Sequence, residues 1–107
     1  MSTSERDVQA EISAIVSSNR IVLFMKGTPQ FPQCGFSSRA VQLLQANGVD
    51  EFAYCNVLED NEVREGIKAY SSWPTIPQLY VAGNFVGGAD IMQEMHAAGE
   101  LQSILKS

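Results

Sequence analysis

Ile21-Val22-Leu23-Phe24-Met25-Lys26-Gly27-Thr28-Pro29-Gln30-Phe31-Pro32-Gln33-Cys34-Gly35-Phe36-Ser37 is the stretch that decides the fold. Its first five residues are an unbroken, largely β-favouring apolar run, which suits a strand buried on both faces. The glycine and two prolines after Lys26 turn the chain. Beyond them Phe36, Ala40, Leu43 and Leu44 restart an apolar stripe at helical spacing, and Asn47-Gly48 closes it. Cys34 therefore falls where a helix begins. Unpaired N–H groups and the helix dipole favour a thiolate there over a thiol, and Lys26 at the other end of the loop adds a positive charge. A thiolate is both a nucleophile and a metal ligand, whereas a cysteine packed as a small hydrophobe is neither.

Working outward, Val8, Ile12, Ile15 and Val16 predict an amphipathic first helix ending near Ser18-Asn19. Downstream, Phe52 to Val57 reads as a second strand, with Cys55 facing the same side as Ala53 and Val57. Asp60, Glu62, Val63, Ile67 and Tyr70 then mark an acid-started helix. After Trp73-Pro74-Thr75-Ile76-Pro77, the runs Leu79 to Val81 and Phe85-Val86 flank Gly83-Asn84, a hairpin turn signal. Ile91, Met95 and Ala98, then Leu101, Ile104 and Leu105, give one or two closing helices divided at Gly99. The order is αβαβαββα, with room for one more helix. A βαβ half joined to a ββα half makes an α/β protein with a four-stranded mixed sheet and helices on both faces.

Composition sets the outer limits. The length of 107 residues and an apolar content of 45% predict one domain spanning residues 1–107. A net charge of −5 without any basic run offers nothing to a nucleic-acid backbone. No apolar stretch approaches the roughly 20 residues that cross a bilayer. The start, Met1 to Asp7, has neither an apolar signal core nor an Arg-rich transit pattern, so the expectation is a soluble, cytosolic protein. An organellar presequence removed from a precursor stays open. Cys34, Cys55 and His96 are too few for a disulfide scaffold or a zinc site within one chain.

Three motifs then carry a resemblance that covers nearly the whole chain from the first helix onward. Cys34-Gly35-Phe36-Ser37, preceded by Lys26-Gly27-Thr28-Pro29 and Pro32, resembles the CGFS active site of the monothiol glutaredoxins. Trp73-Pro74-Thr75-Ile76-Pro77-Gln78-Leu79-Tyr80 and Gly87-Gly88-Ala89-Asp90 are similar to that family's two other signature stretches. The resemblance implies a thioredoxin fold and a glutathione site built from Lys26, Cys34, Phe36, Arg64, Ile76, Pro77, Ala89 and Asp90. In it Lys26 and Arg64 bind one carboxylate. Ala89 and Asp90 offer backbone N–H groups to the second carboxylate, and Asp90 also receives the α-amino group. Pro77 matches the family's cis-proline, which presents the backbone of Ile76 to the glutathione cysteine. Each residue also has a plain structural reading. Lys26 is then a solvated strand end, Arg64 a helix-surface charge, Trp73 and its prolines a rigid turn, and Gly87 to Asp90 a helix cap.

The chain departs from many relatives in having Ala89 where they carry a second cysteine, which removes the obvious resolving thiol. Cys55 reads as buried and inert, and a Cys34–Cys55 disulfide is not expected. His96 reads as a helix-face residue without a task, and the methionines as core filling. A [2Fe-2S] cluster takes four ligands and one chain has one good thiolate. The resemblance implies a homodimer bridged by the cluster, with two glutathiones completing the set and Cys34 as metal ligand, which passes the cluster to acceptor proteins. It further implies a regulatory partnership with BolA-like proteins. The alternative is a glutathione-dependent thiol-disulfide oxidoreductase with Cys34 as the catalytic nucleophile on mixed disulfides. Ser37, standing where dithiol relatives have their second cysteine, closes the two-thiol route.

Overall fold

The apolar run becomes β1 (Ile21–Met25), an inner strand of a sheet ordered β2-β1-β3-β4 in the computed structural model, which describes residues 6–106. The first five residues, part of the start weighed above for a targeting signal, lie outside the described residues. β2 (Ala53–Asn56) runs parallel to β1, β3 (Gln78–Val81) antiparallel to it, and β4 (Asn84–Gly87) antiparallel to β3. The helices are α1 (Val8–Ser18), α2 (Gly35–Ala46), α3 (Asn61–Ser71), α4 (Ala89–Ala97) and α5 (Glu100–Lys106). The expected thioredoxin-type arrangement is the one observed.

The unbroken apolar run of β1 follows from two covered faces. Leu23 and Met25 join a cluster with Ala40 and Leu44 of α2, Met92 of α4, and Leu101 and Leu105 of α5. Val22 and Phe24 join a second cluster with Ile12 and Val16 of α1 and Val63 and Ile67 of α3. A strand whose alternate residues both meet helices has no polar face to show in its sequence. Met25 and Met92 are fully buried, as gap-fillers should be.

Short side chains set the helix boundaries. Asp7 accepts from Ala10 N–H at 3.0 Å, and Asp60 accepts from the N–H groups of Glu62 and Val63, so both act as N-caps. Gly99, at φ +77°, divides α4 from α5 and resolves the closing segment into two helices.

Two boundaries differ from expectation. The second strand is shorter than residues 52–57. Asn56 Oδ1 accepts from Gly27 N–H at 2.9 Å and Leu58 N–H at 3.0 Å, which turns Val57–Glu59 into a single 3-10 turn. The hairpin turn is Ala82-Gly83, not Gly83-Asn84, with φ of +52° and +82°. Ala82 N–H donates to the Arg20 carbonyl at 2.7 Å, a tie between distant segments that the local signal does not contain. No described helix is long and apolar enough to cross a membrane.

Candidate functional site

Cys34 is the N-cap of α2, in extended backbone, at the exit of the loop that follows β1. Its Sγ accepts from Ser37 N–H at 3.4 Å and lies 3.7 Å from Ser37 Oγ. Ser37 is fully buried, and its Oγ also accepts from Lys26 N–H at 3.0 Å. That bond leaves the hydroxyl hydrogen free to point at the sulfur. Partial burial pushes the Cys34 thiol up. The N–H and hydroxyl of Ser37, the N–H of Phe36 and the charge of Lys26 outweigh it, so the net direction is down, toward the thiolate.

Beside this sulfur lies a cleft of about 370 Å³. Seven of the eight residues singled out in the sequence line it, namely Lys26, Phe36, Arg64, Ile76, Pro77, Ala89 and Asp90. Cys34 is not a lining residue and stands at the rim, where Phe36 and Lys26 connect it to the cleft. The Ile76–Pro77 peptide bond is cis, as the resemblance implied. Arg64 is not a mere helix-surface charge. Its Nε is buried and has no hydrogen-bond partner. At α4 the N-cap is Gly88, which supplies no side-chain bond, so the first-turn N–H groups keep their capacity for an anion. A cationic side chain with an unpaired buried N–H and an uncapped helix start in one cleft suit a ligand with separate anionic groups.

Three contributors escaped the sequence reading. Lys68 lines the cleft with Arg64; the signal was its spacing, four residues further along the same helix face. Gln78 is fully buried, donates to the carbonyls of Trp73 and Thr75 at 3.2 and 3.1 Å, and accepts from Tyr80 Oη at 3.2 Å. It thereby fixes the Trp73–Thr75 wall. Ser37 was read only as a missing thiol, although its hydroxyl braces the sulfur.

His96 does have a task, contrary to expectation: its Nδ1 lies 3.1 Å from Asn47 Nδ2, which also donates to the Leu43 carbonyl at 2.7 Å. The pair ties α4 to the end of α2. Cys55 is free, as is Cys34, and packs against the α1–α3 cluster. Burial pushes the Cys55 thiol up, and the Asp60 carboxylate adds to this.

The glutaredoxin family model matches residues 21–86. Glutaredoxin-related protein 5, mitochondrial, of Danio rerio is 52% identical over 93 residues, 87% of this chain and 60% of that protein. Monothiol glutaredoxin-5, mitochondrial, of Saccharomyces cerevisiae is 52% identical over 102 residues, 94% of this chain and 68% of that protein. The chain thus spans 60% to 68% of the length of these relatives. The solution structure of reduced poplar apo GrxS14 superposes with a TM-score of 0.80 at 47% identity, covering 92% of this chain and 90% of that one. The cytosolic expectation is corrected by these comparisons, since the animal and fungal relatives carry mitochondrial names. The physical reason is that location is written in targeting segments, while the same folded domain and thiol chemistry serve in any compartment.

Proposed function

The chain belongs to the glutaredoxin family, its relatives being monothiol members, and on that premise we propose that it is a single glutaredoxin domain that binds glutathione, carries a [2Fe-2S] cluster between two copies and hands it to acceptor proteins. The observation that carries the proposal is the buried, unpartnered Nε of Arg64 in a cleft beside a thiolate-favouring Cys34.

Glutathione is an extended tripeptide with two carboxylates, one α-amino group and one thiol. Lys26 and the free N–H of Arg64 bind one carboxylate. The Ala89 and Asp90 N–H groups at the start of α4 take the other, and the Asp90 carboxylate meets the α-amino group. The Ile76 backbone pairs with the central cysteine, which sets the glutathione sulfur near Cys34. Phe36 covers the ligand from α2.

The cluster is cargo. Among the described residues no group of three or more His, Cys, Asp or Glu side chains stands ready for a metal. With Cys34 as the single thiolate each chain offers, two copies and two glutathiones supply the four thiolates that a [2Fe-2S] cluster commonly takes. Half the ligands then exchange with the pool, which suits delivery. BolA-like proteins belong to the same proposal as regulatory partners.

Reconstitution with iron, sulfide and glutathione tests it. Visible absorbance is expected only when glutathione is present, and Cys34→Ser is expected to lose it. Full cluster absorbance in Cys34→Ser, or in protein loaded without glutathione, would overturn the ligand set.

The lowered Cys34 thiol also favours a second reading, a glutathione-dependent oxidoreductase. Cys34 attacks the glutathione sulfur of a mixed disulfide and the other thiol leaves. A second glutathione then attacks Cys34–SG, which releases oxidised glutathione and restores the thiolate. Brisk turnover of a small mixed disulfide would favour this reading, and near-silence the carrier.

A further inference from the structure

Phe31 is the most exposed large apolar side chain among the described residues, at 74%, and it stands three positions before Cys34. A lone exposed phenylalanine on a loose loop would mean little. This loop is not loose. Phe31 N–H donates to the carbonyl and the hydroxyl of Thr28 at 3.0 and 3.1 Å, and Thr28 N–H returns a bond to the Phe31 carbonyl at 3.3 Å. Gln33 N–H closes the base on the Lys26 carbonyl at 2.9 Å, and Gln33 Nε2 donates to the Phe31 carbonyl at 3.1 Å. A braced aromatic held in water gains nothing for the fold. It can anchor a partner with little ordering cost, which is the usual character of an interface hot spot.

Charge says which partner. The chain is net −5 and has seven Lys and Arg residues. Arg6 is held by Glu11, Asp60 and Glu62, and Arg20 by the Leu105 carbonyl. Lys26, Arg64 and Lys68 all line the cleft, and Arg39 stands one helical turn after Phe36 on α2. Phe36 itself is 59% exposed. Four of the seven cations thus border the Cys34 face of an acidic molecule, around two exposed aromatic rings.

We propose that this face docks an acidic acceptor protein, with Phe31 entering an apolar depression on the partner while Arg39 and Lys68 meet its carboxylates. The inference rests on the carrier reading, because hand-over needs the acceptor's ligands brought to Cys34. A second copy of this chain would bring the same cations to the same side, so like charges would meet. An acidic partner gains both affinity and association rate from them.

The probe is the apo form of a small acidic [2Fe-2S] ferredoxin, titrated calorimetrically into the wild-type chain and into Phe31→Ala and Arg39→Glu. The same proteins are checked for cluster loading by visible absorbance and for oligomeric state by light scattering. Binding is expected to weaken about tenfold in each variant, as for loss of one hot-spot residue. Wild-type binding is expected to weaken as salt rises from about 50 to about 500 mM, through screening. Cluster loading and oligomeric state are expected to stay as in the wild type. Equal affinity in all three proteins, insensitivity to salt, or no binding at all would overturn the proposal, and so would a Phe31→Ala chain that loses its dimer, since the occupant would then be a second copy. Failure of the wild type to load a cluster would instead sink the carrier reading, while the titration would still judge the docking face.

Discussion

Two sulfurs in one chain are given opposite chemistry by their surroundings. Cys34, with Ser37 N–H and hydroxyl aimed at it, is shifted toward the thiolate, whereas burial and Asp60 shift Cys55 toward the thiol. Iodoacetamide near neutral pH is therefore expected to alkylate Cys34 first and Cys55 only after unfolding, as peptide mass mapping will show. Equal labelling would contradict the assigned environments. Ser37→Ala removes the hydroxyl and is expected to raise the pH midpoint of Cys34 alkylation while leaving Cys55 unchanged. Because the folded-state pKa of Cys34 lies below its unfolded value, ionisation stabilises the fold. That contribution is present above the ordinary thiol pKa and is lost as pH falls through the lowered one. The pH dependence of unfolding in this window should flatten in Cys34→Ser. Cys34 was legible because a helix start and a strand end bracket it within the sequence. Gln78 was not, since its role depends on carbonyls presented by a folded loop.

The active loop, residues 26–33, is positioned from both sides. Gly27 has φ +92°, and a Cβ there would stand 2.5 Å from the Phe31 carbonyl and 2.7 Å from Gln33 N, both backbone atoms. Gly27→Ala is thus expected to lower stability by about 2 kcal/mol or more in denaturant unfolding, and to slow Cys34 alkylation as the loop shifts. Wild-type stability in that variant would mean that the loop yields easily. The β-α order of the elements was readable from periodicity because each strand here feeds its own helix stripe. What escaped were places where a distant group overrides local preference: Arg20 pulling the hairpin turn onto Ala82, and Asn56 bending the end of β2.

Charge is uneven across the molecule. Arg6 joins the start of α1 to the start of α3 through Glu11, Asp60 and Glu62, at 2.7 to 2.9 Å. The guanidinium of Arg6 holds the Asp60 and Glu11 carboxyls below their usual range. Their stabilising share is present above the ordinary carboxylate pKa and lost as pH falls through the lowered values. Arg6→Ala should therefore lower the melting temperature by a few degrees in low salt and by less in high salt, because exposed pairs are screened. An equal drop at both salt levels would point to lost packing. Compartment was illegible at this scale, since nothing in how a sheet and five helices pack depends on where the protein resides. The bond from Arg20 Nη2 to the Leu105 carbonyl, 2.6 Å long and spanning 85 positions, sets an order of events. The segment just before the central strand is fastened by a helix that the ribosome makes late, so a nascent chain still holding that helix in the exit tunnel has no finished core. Maturation of this protein is accordingly a matter for the moments after its last turn emerges.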